Sequence, residues 1–279
     1  VIEGAISALG VKQKINLISD MNNARPDSIN LINVDGCKDF VLGEPTFDNS
    51  KFIVECLSTA ADLALTNSSC LVTGPLNKSI IQKHIQNFTG QTEFLKKKFN
   101  ANEVLMYMTN GNLHLGILTT HIPLKEVPNA ISRDLIKNKY KLLHHGLVDI
   151  FKLTSPKIAV LGINPHAGEF GTIGNEEQNT ILPAIDELRD EGYDAYGPVS
   201  ADTVFTQTKY DAVLSMYHDQ ALPVLKTIDF NKTVNITLGL PFLRVSVDHG
   251  TAEDIAKSYS ANYESMIEAL LISIARNEA

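Results

Sequence analysis

The stretch KIAVLGINPHAGEF, residues 157–170, decides how this chain folds, because an apolar, β-branched run passes directly into a polar loop that contains proline and glycine. Such a run predicts a buried strand, and the loop beyond a strand's carboxyl end is where an α/β sheet forms its ligand crevice. The same order recurs along the chain, since GPLNK follows CLVT, THIPL follows LHLGIL, and YHDQ follows DAVLSM. The pattern therefore predicts that polar residues of catalytic type collect at one edge of one sheet.

Strand-like runs alternate with helical patterns along the whole chain. This alternation predicts an α/β fold with a mostly parallel, buried sheet, and a two-lobed arrangement is compatible with it. No shift in composition marks a lobe boundary, so we predict one two-lobed catalytic unit over residues 1–279. The predicted strands are 15–19, 30–34, 70–73, 103–108, 113–120, 157–163, 211–216 and 234–238, and the predicted helices are 49–66, 77–86, 132–152, 176–191 and 251–276, the last with a break near Ser260.

Composition narrows the class of protein. The formal net charge is -8, from 24 basic and 32 acidic side chains, which argues against a nucleic-acid partner. The three cysteines are odd in number and lack metal-ligand spacing, as is typical of thiols in a reducing compartment. No apolar run reaches the roughly 20 residues that span a bilayer, and no signal peptide is recognisable. We expect a cytoplasmic protein without a membrane partner, and we expect an N-terminal segment to precede Val1.

Three histidines occupy equivalent positions, since His121, His166 and His218 each follow a predicted strand. Three imidazoles can hold a divalent cation and leave positions open for water or substrate, which is the arrangement of a catalytic metal site. Taken singly, each is equally consistent with a hydrogen-bonded residue at a strand end. Their shared position favours the metal site, whereas His114, inside a predicted strand, fits the core.

A second group of residues suits an anionic ligand. Lys78, Lys226 and Arg244 lie beside glycine, proline and apolar residues, where a solvated charge is not expected. In SVDHGTAEDIA, His249 precedes Gly250-Thr251 at an apparent helix start, which would offer backbone N–H groups to a nucleotide or phosphate. An ordinary helix cap is the simpler alternative for this last segment.

The longer motifs are specific. The strings GPLNK, GQTEF, TTHIPL, GINPHAGEFGTIGNEE, GPVSADTVF, AVLSMYHDQALPVLK and VNITLGLPFLRVSVDHGTAEDIA together resemble the 4-hydroxythreonine-4-phosphate dehydrogenase family of pyridoxal 5′-phosphate biosynthesis. The resemblance extends from about Leu71 to Asp254 and, more loosely, to both ends. It implies a two-lobed fold like that of isocitrate and isopropylmalate dehydrogenases, and homodimers whose active sites lie at the subunit interface. The family's N-terminal strand, with its GDPxGIGPE-type turn, does not occur in this sequence.

The resemblance also assigns roles to residues. It implies one divalent metal ion per site (Zn, Mg, Co or Mn) and NAD or NADP as the cofactor, and Lys226 or Asp219 is our candidate for moving the hydroxyl proton. The implied metal ligands are His121, His166 and His218, contributed across the dimer interface; the substrate-contacting residues are Gln91, Thr92, Lys226, Asn235 and Arg244; and the cofactor-binding residues are His249, Gly250, Thr251 and Asp254. Gln91 is a departure, because the family usually has histidine there, and glutamine cannot carry a charge near neutral pH.

The implied reaction is metal-dependent oxidation of the C3 hydroxyl of 4-phosphooxy-L-threonine by NAD(P)+, followed by decarboxylation to 3-amino-2-oxopropyl phosphate. Gln91 keeps open a dehydrogenase of another 4-phosphorylated hydroxy acid, such as threonate or erythronate 4-phosphate. A metal-dependent hydrolase is a further alternative, although it leaves the DHGTAEDIA segment unexplained. A phosphate acyl transferase would not need three metal histidines, and a non-catalytic binding protein accounts least well for the strand-end loops.

Overall fold

The structure, a computed structural model, describes residues 1–86 and 88–277. The chain divides into two compact units, which we treat separately. Unit 1 comprises Val1–Ser69, Leu76–Gly90 and His249–Ala261, and unit 2 comprises Cys70–Pro75, Gln91–Asp248 and Asn262–Ala279. No helix in the described ranges is long and apolar enough to cross a bilayer.

Unit 1 is built from short elements. Helix α1 spans Ile2–Ala8, strands β1 (Lys14–Leu17) and β2 (Ser28–Leu31) pair in parallel, and helices α2 (Ser50–Thr66) and α3 (Lys78–Gln82) follow. The buried side chains of α2 recur every three to four residues, as an amphipathic helix requires. The unit also contains the segment that follows Asp248, where a short 3₁₀ helix runs from Glu253 to Ser258.

Unit 2 contains an eight-stranded sheet with helices on both faces. Its strands lie in the order β3-β10-β9-β4-β5-β8-β6-β7. The strands are β3 (Leu71–Thr73), β4 (Leu105–Thr109), β5 (His114–Thr119), β6 (Ile158–Leu161), β7 (Ala195–Val199), β8 (Ala212–Tyr217), β9 (Val234–Leu238) and β10 (Arg244–Val247). The helices are α4 (Gln91–Lys98), α5 (Val127–Ala130), α6 (Arg133–Phe151), α7 (Leu182–Asp190), α8 (Ala201–Val204), α9 (His218–Ile228) and α10 (Glu264–Asn277).

The sheet is mixed, and its strand directions matter for the site. Strands β5, β8, β6 and β7 run parallel to one another, as do β3 and β10. Three successive antiparallel pairings, β10 with β9, β9 with β4 and β4 with β5, join these two groups. An odd number of reversals means that β3 and β10 point opposite to β5, β6 and β8.

Each sheet face has its own hydrophobic core. Helices α6, α7 and α10 cover one face, and α9 covers part of the other. Helix α6 shows how the sequence specifies this packing, because the Ser132 hydroxyl accepts a hydrogen bond from the Leu135 N–H (3.2 Å) and caps its start. Lys152, in a left-handed conformation, ends the helix, and the residues at a three-to-four spacing between them are buried: Ile136, Tyr140, Leu143, Leu147 and Ile150.

The sequence patterns missed several elements and misplaced one; the missed elements are strands β7 and β10 and helices α4, α5, α8 and α9. Strand β7 contains Gly197-Pro198 and helix α9 contains Pro223, and both interruptions mask the expected periodicity. Strand β10 was not recognised because the buried polar residues Arg244 and Ser246 interrupt its apolar run. Gly250-Thr251 do not open an α-helix, since Ala252 is left-handed and only the 3₁₀ helix from Glu253 follows. The predicted break near Ser260 is confirmed by the gap between this helix and α10.

His114 lies in the core, as the sequence predicts, and it forms a buried polar cluster. Its ring is 8% exposed and packs 4.5 Å, centroid to centroid, from Phe151. The Nδ1 atom lies 2.5 Å from the Tyr107 hydroxyl and 3.0 Å from the Thr109 hydroxyl. Burial lowers the pKa of His114 from 6.5 to about 4, and a distant Asp211 only partly opposes this shift. The folded protein therefore holds this ring neutral.

We predict that His114→Asn makes the protein less sensitive to acid. A base whose pKa is lower in the folded state stabilises the protein above its unfolded pKa, and this contribution is lost as the pH falls from 6.5 towards 4. The wild-type loss is at most about 3 kcal/mol. Urea unfolding between pH 7 and pH 4 should show a smaller fall for His114→Asn, whose amide oxygen can still accept from Tyr107. The exposed His84→Asn serves as the control, and equal pH dependence of both variants and wild type would refute the assignment.

Candidate active site

The sheet face covered in part by α9 carries a polar patch formed by three neighbouring strands. In β10 the order is RVSVD, and in β9 it is VNITL, so polar and apolar side chains alternate. Val234, Ile236 and Val245 belong to the core under α6 and α10. The polar residues therefore share the opposite face, together with Thr73 of β3, which pairs with Ser246. The residues of this patch are Thr73, Asn235, Thr237, Arg244 and Ser246.

Arg244 is the centre of the patch. Its side chain is 3% exposed, and four neutral side chains surround its guanidinium group. The Nη1 atom donates to Thr237 (3.1 Å) and Thr92 (3.4 Å), and Nη2 donates to Thr73 (2.9 Å) and Gln91 (3.2 Å). The Nε atom is buried without a hydrogen-bond partner among the described residues. The guanidinium group is thus held in one orientation, but not all of its N–H donors have an acceptor among the described residues.

The charge of Arg244 is also uncompensated. No carboxylate in the described ranges lies within ion-pair distance of it, and burial lowers its pKa to about 10, with the charge of Glu93 partly opposing the shift. At neutral pH the group stays protonated, and a buried cation without a counter-ion is costly. Helix α4 begins at Gln91, so its positive N-terminal end lies beside the guanidinium. These features together suit a bound phosphate or carboxylate.

Gln91 has a defined role in this arrangement. Its Oε1 accepts from Arg244, and its Nε2 donates to the Gly74 carbonyl at 2.9 Å. Both ends of the amide are therefore used to orient the cation. Asn235, by contrast, has a buried Oδ1 atom for which the described chain offers no hydrogen-bond partner. This oxygen is an acceptor suited to a ligand hydroxyl or ammonium group.

Lys226 lies near the end of α9, where its Nζ is 2.8 Å from Asp248 Oδ2. Asp248 directly follows β10, and its side chain is 14% exposed, so this ion pair stands at the carboxyl end of β10. His218 and Asp219 begin the same helix, eight and seven residues earlier. At 1.5 Å per residue, about 12 Å of helix separates Lys226 from His218. The expectation that both Lys226 and Asp219 lie near His218 is therefore wrong for Lys226 within one chain.

Two of the three predicted metal histidines meet at the carboxyl ends of β5 and β8. The ring centroids of His121 and His218 are 5.9 Å apart. The Nδ1 atom of His218 lies 2.6 Å from Asp219 Oδ1, so Nε2 is the ring nitrogen left for a ligand. A carboxylate on the second nitrogen is the usual support of a metal-binding histidine. The chemistry of this pair fits a divalent cation.

His166 lies in the loop beyond β6, which has an unusual backbone. Residues 166–170 all have positive φ angles, between 41° and 79°. The ring is 59% exposed, and its Nδ1 is 3.8 Å from Asp202 Oδ2. In the ranges 1–86 and 88–277, no three His, Cys, Asp or Glu side chains are grouped closely enough to hold a metal ion. The structure thus unites His121 with His218 and leaves His166 apart from them.

Hydrogen bonds connect the backbones of the three histidine segments. Thr119, at the end of β5, donates through its hydroxyl to the Met216 carbonyl of β8 (2.7 Å). Gln220 accepts from the Met216 N–H (2.7 Å) and donates to the Gly162 carbonyl beyond β6 (2.7 Å). Glu177 then holds the next residues of that loop through their N–H groups. Thr119, Gln220 and Glu177 are called the brace below.

The proposed cofactor segment belongs to unit 1 and is organised by Glu253. Thr251 donates its hydroxyl to Glu253 Oε1 (3.0 Å), and Asn77 donates to the same oxygen (2.7 Å). The His249 Nδ1 donates to the adjacent Gly250 carbonyl at 2.9 Å. With Glu253 and Asp254 in its first turn, the short helix does not provide the anion site that the sequence suggested. Acidic groups suit the hydroxyl groups of a ribose instead.

The predicted site residues do not all share one sheet edge. His121, His166 and His218 follow the parallel strands β5, β6 and β8 and lie at one edge, as predicted. The loop after β3 lies at the opposite edge, because β3 points the other way. Val247 pairs with Val234, Val234 with Thr109, and Thr109 with His114, the first residue of β5. Asp248 therefore lies beyond the amino end of β5, roughly 20 Å from His121. Lys226, paired with Asp248, belongs to that opposite edge.

Sequence reasoning missed Thr73, Thr237 and Ser246 as members of the polar patch. The signal that identifies them is the strict alternation in RVSVD and VNITL, which predicts half-buried strands with one polar face. It also missed the brace, because Thr119, Gln220 and Glu177 come together only through the order of strands β5, β8 and β6. A single sequence contains no signal for that order.

Comparisons with known proteins agree with this architecture. The family model described as "Pyridoxal phosphate biosynthetic protein PdxA" matches residues 1–273. A 4-hydroxythreonine-4-phosphate dehydrogenase from Shewanella frigidimarina is 49% identical over 227 residues, which are 80% of this chain and 69% of that protein. A protein of the same name from Serratia proteamaculans is 47% identical over 239 residues, covering 84% of this chain and 72% of its own length.

Solved structures show the same fold. The crystal structure of 4-hydroxythreonine-4-phosphate dehydrogenase from Klebsiella pneumoniae matches with a TM-score of 0.87 and 33% identity, over 98% of this chain and 86% of that one. A terephthalate 1,2-cis-dihydrodiol dehydrogenase from Burkholderia xenovorans shares the fold alone, with a TM-score of 0.68 and 23% identity over 93% of this chain and 82% of that one.

These likenesses define the class as an α/β oxidoreductase with the fold of the isocitrate and isopropylmalate dehydrogenases, as the sequence predicts. Within that class, the chain belongs to the PdxA family of pyridoxal phosphate biosynthetic proteins.

We predict that inorganic phosphate raises the thermal unfolding midpoint of the wild type and not that of Arg244→Gln. Phosphate binds only the folded state, where it compensates the buried guanidinium, so mass action stabilises the protein. Differential scanning fluorimetry over a phosphate series measures the effect, with chloride at equal ionic strength as the reference. Arg189→Gln is the matched control, because Arg189 is half exposed and already paired with Asp186. Equal stabilisation of wild type and Arg244→Gln would exclude Arg244 as the anion site.

Proposed function

We propose that this protein is an NAD(P)- and divalent-metal-dependent dehydrogenase that oxidises the C3 hydroxyl of 4-phosphooxy-L-threonine in the cytoplasm. Decarboxylation of the resulting β-keto acid then gives 3-amino-2-oxopropyl phosphate, a step of pyridoxal 5′-phosphate biosynthesis. Membership of the PdxA family supports the reaction class. The observation that carries the proposal is Arg244, a buried cation with no carboxylate partner in the described chain and an unpaired Nε atom.

Arg244 and its neighbours bind the anionic end of the substrate in this proposal. The guanidinium group, the start of α4 and the hydroxyls of Thr73, Thr92 and Thr237 are all hydrogen-bond donors that suit phosphate oxygens. Asn235 presents an acceptor to a hydroxyl or ammonium group nearby. Lys226 supplies a further positive charge, which its ion pair with Asp248 partly neutralises. Together these residues position and orient the substrate and do no covalent chemistry.

The histidine edge is the reacting end of the site. His121 and His218, with His166 as the third ligand, would hold a divalent metal ion, which would supply Lewis-acid polarisation of the C3 hydroxyl, and the His249 segment would hold NAD(P)+, which would supply the hydride acceptor. Asp219 keeps the His218 ring in one tautomer by accepting from Nδ1. Its carboxylate is 83% exposed, so it can also receive the hydroxyl proton and pass it to solvent.

A second copy of the chain completes the site in this proposal. By strand register, Arg244 and Thr237 lie level with Ile117 but three and two strands away from β5, and Lys226 lies at the edge opposite the histidines. In this proposal a small substrate therefore does not reach both Lys226 and the histidines of one chain. A homodimer with two-fold symmetry brings the histidine edge of each copy to the cation patch of the other. Two identical active sites result, and each contains residues from both copies.

The nucleotide is proposed to bind at His249, Gly250, Thr251 and Asp254. Thr251 is already fixed by Glu253, and Asp254 is exposed beside it. A carboxylate binds the ribose 2′-hydroxyl of NAD well and repels the 2′-phosphate of NADP. We therefore expect NAD to be preferred over NADP.

One alternative substrate class is favoured by a specific observation. Gln91 uses both ends of its amide, on Arg244 and on the Gly74 carbonyl, and adds no charge to the site. Threonate or erythronate 4-phosphate would place the same phosphate on Arg244 and differ at the amino group. The choice between the substrates thus depends on Asn235 and on groups near the reacting carbon.

We predict NAD reduction with 4-phosphooxy-L-threonine that a chelator abolishes and added Zn²⁺, Co²⁺ or Mg²⁺ restores. Absorbance at the nicotinamide band measures the rate, with threonate and erythronate 4-phosphate in parallel and NADP in a second series. Faster turnover of threonate or erythronate 4-phosphate than of 4-phosphooxy-L-threonine would change the proposed substrate but not the proposed enzyme class. An NAD reduction rate that the chelator does not lower would show that the reaction needs no metal ion.

We also predict that two inactive variants, His218→Asn and Arg244→Gln, restore activity when they are unfolded and refolded together. A mixed dimer has one site with both defects and one site with none, so random mixing should recover about a quarter of wild-type activity. Each variant refolded alone is the control, and circular dichroism checks its fold. No recovery, although mixed dimers form, would show that each site lies within one chain.

A further inference from the structure

Glu177 is a buried carboxylate for which the mechanism has no use. Its side chain is 1% exposed, and no cation of the described ranges forms an ion pair with it. Its Oε1 accepts hydrogen bonds from the backbone N–H groups of Ile163 and Asn164, both at 2.8 Å, and Oε2 accepts from the Asn164 side chain at 2.9 Å. Every bond that it makes thus fixes the loop that leads to His166.

The loop is shaped around this carboxylate. A Cβ atom added at Gly162 would lie 3.0 Å from Glu177 Oε1, and one added at Gly168 would lie 2.6 Å from Oε2. The run of left-handed residues from His166 to Phe170 follows directly, and such a run is unfavourable for L-residues unless the surroundings enforce it. Glu177 and the two glycines are therefore what holds this turn in place.

Gln220 links the same loop to the other histidines. Its amide joins the Gly162 carbonyl to the Met216 N–H, two residues before His218. Thr119, two residues before His121, bonds the Met216 carbonyl and completes the connection. Thr119 is 7% exposed and Gln220 is half-buried. Water therefore competes little for the hydrogen-bond partners of these two side chains.

We infer that Glu177 and Gln220 are positioning residues, which fix the backbone of the His166 loop relative to His121 and His218 and so tune the affinity of the metal site. This inference rests on the proposed function, because it takes the three histidines as ligands. Neither side chain touches metal or substrate. Groups of this kind, behind the ligands, typically change metal affinity 10–100-fold when they are altered.

One-atom changes test the inference. In Glu177→Gln the new NH₂ group faces the Asn164 amide donor, and in Gln220→Glu a carboxylate oxygen faces the Gly162 carbonyl. The matched controls are Glu169→Gln and Gln178→Glu, which make the same exchanges at exposed side chains without hydrogen bonds among the described residues. Co²⁺ is titrated into each folded protein, and the ligand-field absorption spectrum gives both affinity and coordination.

We expect 10–100-fold weaker Co²⁺ binding and an altered spectrum for Glu177→Gln and Gln220→Glu, with both controls like wild type. Circular dichroism and the thermal midpoint show that the measured proteins are folded. Wild-type affinity and spectrum in both test variants would overturn the inference and leave the proposed function standing. If the wild type itself binds no Co²⁺, the proposed metal site fails and the inference fails with it.

A glycine pair keeps the inference testable if a buried variant does not fold. Gly168→Ala and Gly192→Ala both introduce a side chain at positive φ, 79° and 91°. At 168 the new Cβ meets the Glu177 carboxylate, and at 192 it meets nothing within 4 Å. Gly168→Ala should therefore weaken Co²⁺ binding, whereas Gly192→Ala should not, and equal affinities would overturn the role of Glu177.

Discussion

The direction of the strands in the eight-stranded sheet is the constraint on which the rest of the site depends. Between β10 and β5 the chain direction reverses three times. The loops beyond β5, β6 and β8 are thereby brought together with their histidines, while the carboxyl ends of β3 and β10 are directed to the opposite edge. A fully parallel sheet would have put all these loops at one edge. The reversal therefore divides the site residues predicted from the sequence between two edges of the sheet.

Two buried ionisable side chains, Glu177 and Arg244, differ in the partners that surround them. The carboxylate of Glu177 accepts hydrogen bonds from backbone N–H groups of the loop before His166. Its role is therefore to fix the conformation of that loop. Arg244 is surrounded by hydroxyl and amide oxygens that orient it but carry no charge, and its Nε atom has no hydrogen-bond partner in the part of the chain that the structure describes. Burial without compensation is costly in the absence of a ligand and favourable once an anion binds. The contrast supports the proposal that Arg244 binds the anion.

The sequence predicts most of the elements and only part of the site. The strand before His166 and helix α6 are recognisable because apolar residues recur with the right period, and the loops after strands carry the histidines as expected. Helix α9 was missed because Pro223 interrupts it, and β10 was missed because Arg244 and Ser246 make one face polar. The separation of Lys226 from His218 could not be read from sequence, since it depends on the spatial order and direction of strands.

Gln91 shows how a single substitution is accommodated by the packing around it. Position 91 opens α4, whose N-terminal end is positive, beside a guanidinium that is already buried. A protonated histidine there would add a second cation beside Arg244, which has no carboxylate partner in the described part of the chain, whereas the glutamine oxygen accepts from Arg244 and its nitrogen donates to Gly74. The amide oxygen thus supplies an uncharged acceptor to the buried guanidinium group. In the proposed function, the positive charge for the substrate's anion comes from Arg244 and the end of α4, neither of which changes its charge near neutral pH.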